Sequence, residues 1–131
     1  VVRTQGARGP IGVGALPLGW RPAAPRLLLR TDSWPLGATI GPGFASLSVE
    51  LVEALHGLGV ATVGIDTPSV DPFESTGHDA HLRLTALGMT WIEGLWLDGV
   101  EPGVYELVAL PLALVGVEAA PLRAILRPLE P

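Results

Sequence analysis

The segment from residue 59 to residue 97 constrains the fold most strongly, because it predicts a strand, a loop, a short helix and a second strand. Val60 to Asp66 consists of small and β-branched residues with one acid at its end, which is typical of a strand buried on both faces. His78 to Leu87 predicts a short helix, and Gly88 is placed to end it. This order of elements favours an α/β fold.

The second strand, Met89 to Leu97, carries one residue that conflicts with its neighbours. If the segment is extended, alternate side chains share a face, and Glu93 lies in the middle of the apolar row Met89, Trp91, Glu93, Leu95, Leu97. A carboxylate in such a row has to be paired, protonated or bound to a metal, because burying a lone charge is too costly. The nearest upstream partners are His78 and His81, and we predict that His81 and Glu93 form a pair.

The residues alone leave alternatives open. Glu93 could instead pair with Arg83 or with a backbone donor, and two histidines with one glutamate are a weak metal signal. Asp66 lies at the C-terminal end of a strand, where site residues of α/β sheets are common, but it could equally close the loop that follows. His56 lies on the flank of a predicted helix and is expected to be a solvated residue without a function.

Composition excludes several classes of function. The chain has 131 residues, enough for one domain, and its formal charge is −5. It has no lysine and no basic stripe, so we expect no nucleic-acid partner. It has no cysteine, which excludes disulfides and thiolate metal sites. No signal peptide is visible, and the longest apolar run, residues 107–117, is interrupted by a proline and too short to cross a bilayer. We therefore expect a soluble, cytoplasmic protein without membrane contact.

The remaining elements are predicted from local patterns. Ser48 to Leu58 predicts a helix with Ser48 as its N-cap, because leucines recur on one face. Strands are expected at Arg26–Arg30, Val104–Leu114 and Leu122–Leu126, a hairpin or tight connection at 98–103, and loops at 1–25 and 31–44. The chain opens with Val1, and its mean hydropathy is high at +0.45. We take both as signs of an incomplete unit.

A series of motifs resembles a known family. In order and spacing, five segments resemble the C-terminal part of bacterial kynurenine formamidases. They are LLLRT at 27–31, GIDTPSVDP at 64–72, DAH at 79–81, WIEGLWLDGV at 91–100 and GVYELVALPLALVGVEAAPLRAIL at 103–126. These enzymes belong to the metal-dependent cyclase family. The resemblance extends from about Arg26 to Leu129.

The resemblance implies a swivelling β/β/α fold, of which residues 1–131 would be the C-terminal portion of one domain, with its N-terminal part absent. It implies hydrolysis of N-formyl-L-kynurenine to L-kynurenine and formate in tryptophan degradation, and assembly as a homodimer or higher homo-oligomer. His81 and Glu93 match the positions of two metal ligands, with zinc as the expected ion and manganese as another candidate. His78 matches no functional position. The side chains of His81 and Glu93 should approach within roughly 3 to 4 Å even without metal.

One departure from the family limits what this chain can do. The family's other ligands and its general base lie in an upstream motif, His-x-Gly-Thr-His-x-Asp-x-Pro-x-His, which these 131 residues do not contain. Ala120 also stands where the family often has serine. Because catalytic zinc usually needs three protein ligands, we expect weak metal affinity and little activity from this chain alone. The alternatives are another cyclase-family hydrolase, acting on small cyclic amides such as isatin, and a non-catalytic remnant that serves only in oligomerisation.

Overall fold

The computed structural model describes residues 1–4, 8–35 and 37–129. These residues form eight strands and two α-helices, with a 3₁₀ turn at Val13–Ala15. The strands are β1 (Val2–Arg3), β2 (Gly9–Ile11), β3 (Arg26–Arg30), β4 (Ala45–Leu47), β5 (Thr62–Ile65), β6 (Thr90–Ile92), β7 (Tyr105–Pro111) and β8 (Leu122–Pro128). The helices are α1 (Val49–Gly57) and α2 (Asp79–Ala86).

A four-stranded parallel sheet in the order β1-β3-β5-β6 forms the centre of the molecule. Its register pairs Leu27 with Val63 and Leu29 with Ile65 on one face, all of them buried. Leu28, paired with Gly64, is buried on the other face, so the central strands are apolar on both faces. The mixed α/β architecture is the one that the sequence predicts. The strands β2 and β4 pair in parallel as a separate two-stranded sheet. The sequence predicted a loop where β2 lies and no strand at β4, because three-residue strands carry too little periodicity; residues 5–7 of that loop and residue 36 of the next lie outside the described residues.

The helix α1 begins and ends where local chemistry predicts. The hydroxyl of Ser48 accepts a hydrogen bond from the N–H of Leu51 at 3.1 Å, so Ser48 is the N-cap. Gly59 follows the helix with a φ of +83°, a conformation that favours glycine. Leu51, Val52 and Leu55 face the core. Neither helix among the described residues is long and apolar enough to cross a membrane.

Two apolar clusters lie on opposite faces of the sheet. The larger one packs α1 and α2 against the sheet and contains Leu29, Leu55 and Ile65. The smaller one contains Leu28, Leu95 and Leu97, with Leu107 and Leu126 of the last two strands packed against it. Glycine at position 64 makes this second cluster possible, because a Cβ there would lie 2.5 Å from Leu28 and 2.7 Å from Leu95.

The strand predicted at Met89–Leu97 is shorter than expected, and its predicted apolar row is wrong. β6 covers only Thr90–Ile92, because Gly94 adopts a φ of +65° and turns the chain out of the strand. Met89 and Trp91 therefore pack with the helices, whereas Leu95 and Leu97 join the cluster on the opposite face. Glu93 lies at the end of the strand and not in the middle of a buried row.

The last two strands, β7 and β8, form an antiparallel hairpin. Both differ from their predicted bounds, since β7 is shorter than Val104–Leu114 and β8 extends beyond Leu126 to Pro128. The turn at 98–103 joins β6 to β7, which belong to different sheets, so it is a tight connection and not a hairpin. Val1 holds this connection through reciprocal hydrogen bonds with Gly103, at 2.6 and 3.0 Å.

Candidate metal centre

The predicted pair of His81 and Glu93 meets at the C-terminal end of β6. His81 lies in the first turn of α2, and Glu93 is the first residue after the strand. The Nε2 atom of His81 is 3.2 Å from Oε1 of Glu93, within the separation that the sequence predicts. Both side chains are 29% exposed, so the pair is half-buried and reachable from solvent.

Asp71 is the second partner of the His81 ring, and the sequence reasoning missed it. Asp71 as a whole is 3% exposed, and it lies in the loop between β5 and α2. Oδ2 of Asp71 is 2.5 Å from Nδ1 of His81 and also accepts the backbone N–H of His81 at 3.3 Å. Oδ1 accepts the N–H of Ala80 at 2.8 Å. The sequence offered one signal for this contact. An acid stands just before Pro72, in the loop that leads to α2, and α2 has no capping side chain of its own.

The start of α2 explains why a loop residue takes this position. His78 precedes the helix in the left-handed conformation, with a φ of +52°, and its side chain makes no capping hydrogen bond. The first N–H groups of a helix need acceptors and carry partial positive charge, which favours a carboxylate. Asp71 supplies it from outside the helix, and Pro68 and Pro72 restrict the loop that holds it.

The ionisation of Asp71 follows from these contacts. Burial raises the pKa of Asp71, but the hydrogen bonds from the His81 ring and from the N–H groups of Ala80 and His81 outweigh burial. The pKa therefore lies below the ordinary value of 3.8. At neutral pH the His81 ring has an ionised carboxylate on its Nδ1 side.

Glu93 has a second contact, which tests the alternative partners considered from sequence. Its Oε1 accepts the N–H of Val70 at 2.8 Å, so a backbone donor does contact this acid. Arg83 does not, because its guanidinium pairs with Glu53 at 2.8 Å. Glu93 is thus held in place by the loop after β5 while still facing His81.

Trp91 completes the packing around the histidine. Its ring lies edge-on to the His81 ring, with centroids 5.2 Å apart and an interplanar angle of 88°. Together with the Asp71 contact, this leaves the imidazole little freedom to rotate.

His78 brings a second imidazole close to Asp71 and His81. Its Nδ1 is 4.0 Å from Oδ2 of Asp71, and its side chain is 65% exposed. One ligand atom from each of Asp71, His78 and His81 can be chosen so that all lie within 4.8 Å of one another. This His/Asp group could bind a metal ion, although the family resemblance gives His78 no role.

The distances distinguish two ways of using these residues. Two ligand atoms at 2.0–2.2 Å from one ion, at angles near 90–110°, lie about 2.8–3.6 Å apart. The His81 to Glu93 separation of 3.2 Å fits that range, whereas the 2.5 Å contact between Asp71 and His81 is too short for two ligands of one ion and is a direct hydrogen bond. Imidazole and carboxylate are ordinary zinc ligands, so the residues present fit one part of a metal shell.

Two other residues considered from sequence lie apart from this group. Asp66 accepts hydrogen bonds from the N–H and hydroxyl of Thr31, at 2.8 and 2.6 Å, and from the N–H of Asp32 at 3.0 Å. It therefore anchors the segment after β3 and does not close its own loop. His56 is exposed on α1, as expected for a solvated residue.

A large groove exists elsewhere, at the N-terminal ends of the sheet strands and along the hairpin. Its volume is about 1440 Å³, and residues such as Leu28, Thr62 and Leu107 line it. Neither His81 nor Glu93 lines the groove, so the candidate chemistry is not located there.

Comparison with known proteins gives a consistent result. No protein-family model matches this chain. One similar solved structure is described as a potential metal-dependent hydrolase with cyclase activity; it is 32% identical with a TM-score of 0.64, over 79% of this chain and 51% of that chain. Another is described as a predicted metal-dependent hydrolase from Bacillus stearothermophilus, 32% identical with a TM-score of 0.62, over 76% of this chain and 47% of that chain. This chain spans about half the length of both structures.

Proposed function

We propose that this chain forms the C-terminal portion of a metal-dependent amidohydrolase domain of the swivelling β/β/α type. The observation that carries the proposal is the convergence of His81 Nε2 and Glu93 Oε1 at 3.2 Å, a separation suited to two ligands of one ion. The similarity to metal-dependent hydrolases over most of this chain supports the same class of function.

In this proposal His81 and Glu93 are two ligands of the catalytic ion. When bound, a divalent metal polarises the scissile carbonyl and lowers the pKa of a bound water toward ~7. Zinc is the proposed ion, with manganese as the alternative, because nitrogen and carboxylate donors suit both. The remaining ligands and the general base are assigned to no residue of this chain.

The ligand set can be tested by substitution. In Glu93→Gln, a neutral amide replaces the carboxylate without a change of shape, and we expect Zn²⁺ affinity to fall at least about 10-fold by calorimetric titration. In the matched variant His78→Gln, the affinity should stay unchanged. Loss of affinity in His78→Gln but not in Glu93→Gln would move the ion to Asp71, His78 and His81.

The proposed substrate is N-formyl-L-kynurenine, and its support is the resemblance of the motifs from residue 64 to residue 126. Small cyclic amides such as isatin are the second candidate substrates. We expect the product of the whole reading frame to release formate from N-formyl-L-kynurenine in a metal-dependent manner, and the 131-residue chain to show little turnover with zinc or manganese. Rapid turnover by the 131-residue chain would contradict the proposal that the remaining ligands and the general base lie outside it.

Homo-oligomerisation and a cytoplasmic location complete the proposal, again by resemblance. A non-catalytic role in oligomerisation is the competing proposal of a different class. It requires that neither the chain nor the product of the whole reading frame hydrolyses these amides, while self-association persists.

A further inference from the structure

The His81 ring lies between two acidic groups that contact different nitrogens. Nδ1 faces Asp71 at 2.5 Å, and Nε2 faces Glu93 at 3.2 Å. We propose that Asp71 is a positioning residue that keeps neutral His81 in the tautomer with its proton on Nδ1, so that the lone pair of Nε2 points toward Glu93. This proposal rests on the proposed function, in which Nε2 of His81 binds the metal ion.

The direction of the proton follows from the donor inventory. Both oxygens of the Asp71 carboxylate accept backbone N–H groups of the first turn of α2, so the carboxylate acts as an acceptor, and its contact of 2.5 Å with Nδ1 places the ring proton on Nδ1. A neutral imidazole has one N–H, and Nε2 is then bare. Nε2 and the Glu93 carboxylate are consequently two acceptors facing each other, an arrangement that a cation between them stabilises.

The Asp71 carboxylate is held so that it cannot turn away. Oδ1 is engaged by the N–H of Ala80 and Oδ2 by the N–H of His81, both in the first turn of α2. The carboxylate is buried, and Trp91 packs edge-on against the imidazole. Ring and carboxylate thus form one rigid unit at the start of the helix.

The substitution Asp71→Asn should reverse the tautomer. If the amide oxygen keeps the N–H of Ala80, the amide NH₂ faces Nδ1 and donates to it, so the ring proton moves to Nε2 and points at Glu93. Asp79→Asn is the matched control, because it removes a negative charge from the same helix start without contacting the His81 ring.

The test is a long-range ¹H–¹⁵N spectrum of the metal-free chain at mildly alkaline pH, where free imidazole is neutral. We expect His81 to be protonated on Nδ1 in the wild type and in Asp79→Asn, and on Nε2 in Asp71→Asn. An Nε2–H tautomer or a doubly protonated ring in the wild type would overturn the proposal, as would an unchanged tautomer in folded Asp71→Asn. If Asp71→Asn fails to fold by circular dichroism, the wild-type spectrum alone decides.

A Zn²⁺ titration separates this proposal from the proposed function. Asp71→Asn should bind Zn²⁺ about 10- to 100-fold more weakly than the wild type, and Asp79→Asn should match the wild type. If the wild type shows the Nδ1–H tautomer but binds no Zn²⁺, the metal function fails while the positioning role of Asp71 stands. If it binds Zn²⁺ with the other tautomer, the positioning role fails while the metal function stands.

Discussion

At the scale of single residues, polar groups of the described chain fall into those with clear partners and those without. Asp32 pairs with Arg3 and Arg30, and Asp71 pairs with His81. By contrast, the hydroxyl of Ser46 in β4 is fully buried, and nothing in the described part of the chain forms a hydrogen bond with it. A buried hydroxyl without a partner costs free energy, so these groups should respond to substitution in opposite directions.

Ser46→Ala should leave the free energy of unfolding unchanged or raise it by up to about 1 kcal/mol, because it removes an unpaired buried hydroxyl. The control is Ser48→Ala, two positions along the chain, which removes a helix cap and should lower the free energy of unfolding by about 1 kcal/mol. Urea denaturation measures both. A clear loss of stability in Ser46→Ala would mean that this hydroxyl has a partner.

Asp32→Asn should make stability less sensitive to acid. Burial raises the pKa of Asp32, but hydrogen bonds from Arg30 and Arg3 outweigh it and lower the pKa below 3.8. Because the pKa of Asp32 is lower in the folded than in the unfolded state, the ionised carboxylate stabilises the fold at pH values above 3.8. This contribution to stability is lost as the pH falls through the folded-state pKa.

The measurement is the urea midpoint as a function of pH. Asp32→Asn should show a lower midpoint at neutral pH and a shallower loss at acidic pH, and asparagine tolerates the φ of +53° at this position. Glu118→Gln, at an exposed position with no ion pair among the described residues, should reproduce the wild-type profile. A steep loss of stability at acidic pH in Asp32→Asn would refute the role given to the Asp32 carboxylate.

At the scale of elements, the helices and strands that were predicted correctly are those whose sequence signals involve only neighbouring residues. The cap at Ser48, the strand before Asp66 and the short helix containing His81 were predicted within a few residues, because capping, β-branching and helical spacing act over neighbouring positions. The end of β6 was not predictable, since glycine adopts positive and negative φ about equally and only the folded chain selects one. That turn at Gly94 moved Leu95 and Leu97 to the opposite face.

Gly94→Ala should therefore be costly. At a φ of +65° with no atom within 4 Å of an added Cβ, the cost is backbone strain alone, about 1–2 kcal/mol. Gly57→Ala, in α1 and equally free of contacts, should instead stabilise the chain by about 0.5–1 kcal/mol. Thermal or urea unfolding measures the pair, and equal effects of the two substitutions would contradict the role given to Gly94.

At the scale of the whole molecule, the β7–β8 hairpin packs one face on the sheet and has an apolar centre on its outward face. Leu107, Ala124 and Leu126 pack on the second cluster, while Val108 and Ile125, directly opposite each other in the register, face outward. They are 37% and 55% exposed, and Leu110 on the same face is 68% exposed. An exposed apolar patch of this kind, bordered on the same face by the Glu106–Arg127 ion pair, is typical of an interaction site.

We predict that this outer face takes part in the proposed self-association. The double substitution Val108→Thr and Ile125→Thr keeps β-branched side chains but adds polarity, so it should shift the mass measured by light scattering toward the monomer while the hairpin persists. Val115→Thr, at a fully exposed position outside the strands, is the control. An unchanged mass in the double variant would exclude this face.

The amino-acid sequence alone was sufficient for the α/β class and for the strand before Asp66 and the helix containing His81, since β-branching, periodicity and capping are encoded in adjacent residues. The approach of His81 to Glu93 was predicted from the motifs that resemble a known family, because the apolar row that also suggested it does not exist in the fold. The contact of Asp71 with His81, the sheet order and the division of the apolar residues into two clusters depend on where distant segments meet. A loop carboxylate ten residues before a histidine has no periodic relation to it, so only the path of the folded chain brings Asp71 to the ring and gives His81 its second acidic neighbour.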